Sequence, residues 1–186
     1  LIGVGAVIDV AGFVASTLTL SDADFLANHL RFSDASGTGK IQNFGEIRTS
    51  SGGNVYLVAP NVENHGIITA PNGEIILAAG KSVELFDSAT PGVKVAVTAG
   101  GEALNVGRLM VESGRIGMVG AVVKQQGTAS ADSIVREGGR IFLKASQTTE
   151  LAAGSATSAN GTKGGAIQIE SGDMTLVSGA VSAMGS

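Results

Sequence analysis

Few side chains in this sequence are equipped for chemistry, and their spacing limits what they could do. His29 and His65 are its two histidines and there is no cysteine, so a metal centre would have to be assembled mainly from carboxylates. Asp22 and Asp24 follow Ser21, and Asp34 follows Ser33. Calcium draws about six to eight oxygens from such carboxylates and nearby carbonyls. The same Ser-Asp spacing also makes a capped turn, with Ser21 or Asp22 accepting a backbone hydrogen bond at the start of segment 25–30. The capped turn is the simpler reading, since the Gly-Gly-x-Gly-x-Asp calcium repeat is absent, and no metal site is assigned. His65 sits between the turn residues Asn64 and Gly66, where a solvated loop side chain is expected. His29 lies in Leu26-Ala-Asn-His-Leu30, the one stretch suited to a helical turn packing on the rest of the molecule.

A polysaccharide lyase or hydrolase gathers carboxylates and bases on one face. Arg108, Arg115 and Arg136 fall near Glu112 and Glu137 in the middle of the chain. Each occupies an outward position of an alternating pattern, where opposite charges commonly pair across strands. A serine nucleophile would need a histidine in reach, and no motif supplies one. No catalytic or cofactor-binding residue is assigned, and the chain is expected not to be an enzyme. Asn160-Gly161-Thr162 is an acceptor sequence for N-glycosylation.

The composition narrows the partners. Net charge is −4 and charged residues make up 15% of the 186, with no dense basic cluster of the kind phosphate binding needs, so nucleic acid is not expected as a partner. Apolar residues reach 44% while aromatics are only 4%, which makes any core aliphatic. Glycine numbers 28 against three prolines, so turns are frequent and built from Gly, Asn, Asp and Ser. No apolar run has the length of a membrane helix. Segment 1–14 is apolar but broken by Gly3, Gly5, Asp9 and Gly12 and has no basic start, unlike a signal peptide. The first residues begin mid-pattern and the last still read as repeat, so a fragment of a longer protein is expected.

The elements that must carry these residues emerge from internal repetition. Ile41-Gln-Asn43-Phe-Gly45-Glu-Ile47 aligns with Val62-Glu-Asn64-His-Gly66-Ile-Ile68, an offset of 21 (43 to 64). The frame recurs at Ala103, Asn105, Gly107 and Leu109, about twice that distance on, and again at Val123, Gln125, Gly127 and Ala129. A second frame interleaves: Gly52-Gly53-Asn-Val55-Tyr-Leu57-Val-Ala59, Asn72-Gly73-Glu-Ile75-Ile-Leu77-Ala-Ala79, Gly138-Gly139-Arg-Ile141-Phe-Leu143-Lys-Ala145 and Gly164-Gly165-Ala-Ile167-Gln-Ile169-Glu-Ser171.

Apolar alternation over four to six positions makes a strand with one face to bury. A unit of about twenty residues cannot enclose its own core, but stacked units can, each strand pairing in parallel with its equivalents. The connecting segments are too short and glycine-rich for helical crossovers. The expected fold is therefore all-β, a right-handed parallel β-helix running continuously over 1–186. It would have about eight rungs and a length of about 40 Å. A left-handed hexapeptide helix does not fit the period. Asn43, Asn64, Asn105 and Gln125 share one template position and are expected to stack as a hydrogen-bonded amide ladder, although Asn-x-Gly also marks a plain surface turn. The adjoining glycines are expected to supply positive φ at the bend.

The stretch Gly3-Val-Gly-Ala-Val7-Ile-Asp9-Val-Ala-Gly12-Phe-Val-Ala15-Ser16-Thr17-Leu18, followed by Leu20-Ser-Asp22-Ala-Asp24-Phe25, resembles the filamentous-haemagglutinin family of two-partner secretion exoproteins. The Asn-x-Gly-x-Ile and Gly-Gly-x-Ile-x-Leu-x-Ala frames also resemble that family's repeats. By this resemblance, 1–100 corresponds to the C-terminal part of a secretion domain and 101–186 to further β-helix repeats. The family's Asn-Pro-Asn-Gly motif would fall just before Leu1 and has no match here. The resemblance implies a structural or adhesive segment of a secreted, extracellular or cell-surface protein of a Gram-negative bacterium, without a cofactor. Its implied partners are an outer-membrane secretion pore and a surface glycan or protein of a host or neighbouring cell. The alternatives are a carbohydrate-active β-helix enzyme of polysaccharide-lyase type and a filament subunit that self-associates end to end.

Overall fold

The computed structural model describes residues 1–27, 29–33, 38–86, 94–98 and 100–186. Short apolar alternations broken by Gly, Asn and Ser turns fold as short strands. In chain order these begin with β1 (Val7–Val10), β2 (Phe13–Ser16) and β3 (Thr19–Leu20), then the five-residue helix α1 (Asp22–Leu26) and β4 (Leu30–Ser33). There follow β5 (Lys40–Asn43), β6 (Glu46–Thr49), β7 (Asn54–Ala59), β8 (Asn61–Asn64), β9 (Ile67–Thr69) and β10 (Glu74–Ala79). After β11 (Ser82–Phe86) and β12 (Lys94–Thr98) come β13 (Glu102–Asn105), β14 (Arg108–Met110), β15 (Arg115–Gln125), β16 (Thr128–Ser130) and β17 (Arg140–Leu151). The chain finishes with β18 (Ala156–Ser158), β19 (Ala166–Ser171), β20 (Met174–Val177) and β21 (Ala180–Ser182).

Equivalent strands pair in parallel and in register, so like residues line up in columns. Phe13, Val55, Ile75, Ile116, Ile141 and Ile167 form one. Ile8, Ile47, Ile68, Leu109, Ala129, Thr157 and Val181 form a second. A third runs Ile41, Val62, Ala103, Val123. The second column belongs to a seven-stranded sheet, β1-β6-β9-β14-β16-β18-β21. The other two belong to one larger sheet, joined because β15 turns a corner: residues 115–119 pair with β10 and residues 122–125 with β13. Between the columns lies an aliphatic interior in which Ile47, Leu57, Ile68, Leu77, Leu109, Ile116 and Leu143 are fully buried. Each such side chain contributes about 1.5–3 kcal/mol by leaving water.

Five expectations are corrected. Asn64 and Asn105 are direct neighbours in the ladder of β8 and β13, so the double-length interval between them is one level carrying an excursion, not two levels. Seven strands span the stack in the β1 sheet, which makes it about 29 Å long at about 4.8 Å per step. Not every strand joins the parallel stack. The excursion pairs with an earlier one as a four-stranded antiparallel sheet, β12-β11-β4-β3. This sheet lies on the outer face of β7 and β10, where Leu18, Phe32, Val83 and Leu85 pack on Tyr56, Val58, Ile76 and Ala78.

The helical turn forms at 22–26 rather than 26–30, and it does not pack on the stack: Phe25 and Leu26 are exposed. The Ser21 hydroxyl accepts the Asp24 N–H at 3.1 Å and caps the helix, as the capped-turn reading of Ser21 and Asp22 expects, so the helix starts at Asp22. Finally, Gly45, Gly66, Gly107 and Gly127 do not have positive φ, which among the described glycines is found at Gly5, Gly52, Gly100 and Gly154. Their requirement for glycine is spatial, since an added Cβ would meet the backbone of the adjacent level.

Val83, on β11 of the added sheet, is fully buried against β7 and β10. Val83→Ala is expected to cost about 2 kcal/mol. Hydrogen exchange should speed up in 30–33 and 82–86 while β8 and β13 stay protected. Uniform acceleration across all strands would show that the added sheet is no separate unit.

Candidate functional site

Among the described residues, the polar side chains with no exposed surface are Thr149 and four amides. Asn43, Asn64, Asn105 and Gln125 each have no exposed surface, and the register of β5, β8, β13 and β15 stacks them. Asn43 Nδ2 donates to Asn64 Oδ1 at 2.8 Å, Asn64 Nδ2 to Asn105 Oδ1 at 2.9 Å, and Asn105 Nδ2 to Gln125 Oε1 at 2.7 Å. The second amide protons also find acceptors: Asn64 Nδ2 donates to Gly66 O, Asn105 Nδ2 to Thr128 O. At the upper end Asn43 Oδ1 accepts the Gly45 N–H. Below, the extra methylene of Gln125 lets Nε2 reach Ala156 O as well as Gly127 O. At the next level Leu151 takes the ladder position and provides no side-chain acceptor. A buried network satisfied at every member is stabilising and fixes register, because a slip would strand each amide.

The glycines beside the ladder follow from the same stacking. A Cβ on Gly66 would lie 2.0 Å from Gly45 O, one on Gly107 2.0 Å from Gly66 O, and one on Gly127 2.1 Å from Gly107 O. The ladder carbonyls accept pairs of N–H groups from the following level: Asn43 O from His65 and Gly66, Asn64 O from Val106 and Gly107. This draws the backbones too close for any side chain. Just past the ladder, Ser155 Oγ and Thr157 Oγ1 are buried without a hydrogen-bond partner.

The outer face of the same wall carries charge. Lys40 Nζ and Gln42 Nε2 both donate to Glu63, at 3.1 and 2.7 Å, and Lys124 pairs with Glu102 at 2.7 Å. Burial pushes the Glu63 carboxyl up, but hydrogen bonds from Gln42, Lys40 and His65, with the charge of Lys40, outweigh it and hold Glu63 below its ordinary value. Lys124 is raised by its hydrogen bond to Glu102, against some desolvation. A depressed carboxylate stabilises the fold above its unfolded pKa, and that contribution is lost as pH falls through the folded value. Glu63→Gln is therefore expected to flatten the acid limb of a stability-against-pH curve below about pH 4.3. An unchanged limb in urea titrations would remove Glu63 from the account.

The other sequence candidates are dispersed. His65 is exposed; its ring stacks on Phe44 at 4.7 Å between centroids, and its Nε2 lies 3.4 Å from Glu63. Asp24 accepts the Ser21 hydroxyl at 2.7 Å. Asp34 and Asn28 lie outside the described residues. Among the described residues, no group of three His, Asp or Glu is placed to hold a metal ion. Of the mid-chain charges, Arg108, Glu112 and Glu137 are exposed. Arg136 donates to Asn72 Oδ1 at 3.3 Å, and Glu137 O accepts the Ser113 hydroxyl. Arg115 points away from the interior but is covered, with 16% of its side chain exposed, and pairs at 3.2 Å with Glu74, which also accepts the Tyr56 hydroxyl at 2.9 Å. Asn160 is half-buried and acts as a brace: its Oδ1 accepts the Ser182 hydroxyl and the Met184 N–H, while its own N–H donates to Asp132. Sequence reasoning missed that covered Tyr56–Glu74–Arg115 contact and the Asp132 brace. The first had a signal, since a Glu stacked on an Arg opens two copies of one frame.

No protein-family model matches the sequence. No curated protein matches it either. Among solved structures, the chain is similar to the crystal structure of the HMW1 secretion domain from Haemophilus influenzae, with a TM-score of 0.78 and 24% sequence identity. The likeness covers 98% of this chain and 61% of that one, so the chain spans under two thirds of its neighbour's length and shares its fold.

Proposed function

We propose that this chain is the secretion-domain region of a two-partner secretion exoprotein of the filamentous-haemagglutinin type, exported through a dedicated outer-membrane pore. The observation that carries the reading is the fold likeness to a secretion domain over nearly the whole chain. In this reading the stacked columns form a right-handed parallel β-helix, continuous over 1–186, and the secretion-domain region extends past residue 100 into the later coils. Its role is structural and adhesive, outside the cell or on its surface, toward a glycan or protein receptor. We assign it no catalysis: Arg115, Arg136 and Glu137 go to separate structural contacts, and Lys40, Glu63, Glu102 and Lys124 serve as cross-strand pairs.

The test is secretion. The parent protein, directed to the periplasm, should reach the medium when its candidate pore is co-expressed, and should stay inside without it. Pore-independent release, or retention with the pore present, would reject the assignment. Turnover of pectin, alginate or a glycosaminoglycan by the purified chain would overturn the non-enzymatic part separately.

A further inference from the structure

The chain contains two Asn-Gly pairs, Asn72-Gly73 and Asn160-Gly161, and the fold treats them differently. Asn-Gly is the dipeptide at which a backbone nitrogen most readily reaches the preceding amide carbon, because glycine offers no side-chain obstruction. Asn72 is exposed at a corner with φ +55. Its side chain is held by other surface groups, donating to Ser51 Oγ at 3.0 Å and accepting from Arg136. The Gly73 N–H donates to Ala70 O at 3.0 Å, inside the same tight turn, so local opening of that turn alone frees the nitrogen. The Asn72 N–H donates to Glu112 O and anchors the other side of the corner. Asn160 differs in burial and in where the following N–H is tied. Gly161 is buried, its N–H donates to Met184 O on the neighbouring level, and Asn160 is fixed by Asp132, Ser182 and Met184. Freeing it requires two levels to part.

We propose that Asn72 is a self-modifying site, where the Gly73 nitrogen converts the side-chain amide to an acid while Asn160 is protected. The Gly73 nitrogen, losing its proton to solvent hydroxide, bonds to Asn72 Cγ. The Cγ–Nδ2 bond breaks and ammonia leaves, taking a proton from water. Water then opens the cyclic imide at either carbonyl, giving aspartate or isoaspartate. Aspartate places a negative charge against Arg136, turning a neutral hydrogen bond into an ion pair. Isoaspartate lengthens the backbone where Gly73 is already pressed on Gly53 O, 1.9 Å from any added Cβ.

The experiment incubates the folded chain at mildly alkaline pH, beside a urea-unfolded control, and maps tryptic peptides by mass. Peptide 49–81 carries Asn72 and peptide 145–163 carries Asn160. Folded wild type should gain the amide-to-acid mass in 49–81 several-fold faster than in 145–163, with isoaspartate reported by carboxyl methyltransferase. The unfolded control should convert both alike, and Asn72→Gln should lose the gain in 49–81. Equal rates in the folded chain, or a folded 49–81 that stays amidated while the control converts, would overturn the proposal.

Discussion

Asn64→Ala should cost about 3–5 kcal/mol, because it removes the middle of a buried amide column and leaves both neighbours wanting. Asn43 Nδ2 loses its acceptor and Asn105 Oδ1 its donor, each at a position without solvent access. Loss at a core column should spread through the stack rather than stay local, so chemical denaturation should show one transition at lower denaturant. Asn64→Asp sharpens the test. Its carboxylate still accepts from Asn43 but turns an oxygen toward Asn105 Oδ1, and it buries a charge. Burial raises the folded pKa of that acid, so the variant should regain stability as pH falls toward and below the unfolded value. A loss under about 1 kcal/mol in the alanine variant would mean that the ladder is decoration on an aliphatic core.

The second large effect concerns the glycine beside the ladder. Gly66→Ala places a methyl 2.0 Å from Gly45 O and 3.0 Å from Asn43 Nδ2, neither of which can move without parting the levels. The expected loss is roughly 3–4 kcal/mol, large enough to read as failure to accumulate soluble protein. Gly52→Ala is the matched control. Gly52 has φ +81 and open space around it, so only backbone strain of about 1–2 kcal/mol is expected. Equal losses in the two variants, measured by urea unfolding, would show that conformation rather than close approach dictates glycine beside the ladder.

What the sequence discloses about this fold depends on whether a signal repeats. The Asn-x-Gly and Gly-Gly-x-Ile frames recur, so the columns through Asn43 and Asn64, and through Val55 and Ile75, are readable, as are the parallel register and the aliphatic interior. One copy of the second frame, Ser113-Gly114-Arg115-Ile116-Gly117-Met118, pairs with Ile75 but is masked in the sequence, since Gly117 stands where the other copies carry Tyr, Ile, Phe or Gln. Phe142 fills the missing volume: its ring lies 2.1 Å from where a Gly117 Cβ would be. The antiparallel sheet was less accessible because it occurs once and pairs segments fifty residues apart, such as Arg31 and Glu84. Its trace lay in the unbroken apolar runs at 55–59 and 75–79. Strands with both faces covered lose their polar alternation, and β7 is buried on both sides from Val55 to Ala59. The amide ladder was legible by position, whereas the spatial basis of its glycines was not, since spacing alone does not distinguish a bend from a close approach.

The adjacency of Asn64 and Asn105 has an implication for how such a chain changes over time. Thirty-seven residues, from His65 to Gly101, lie between the touching strands β8 and β13, whereas β5 and β8 are joined by seventeen, 44–60, and the columns above and below keep their register. The corner after Ala79 is thus a place where polypeptide can be added or removed without disturbing inheritance of the rest. Novelty can accumulate at such a junction, and the repetitive scaffold tolerates it because each strand is answerable only to the strand on either side.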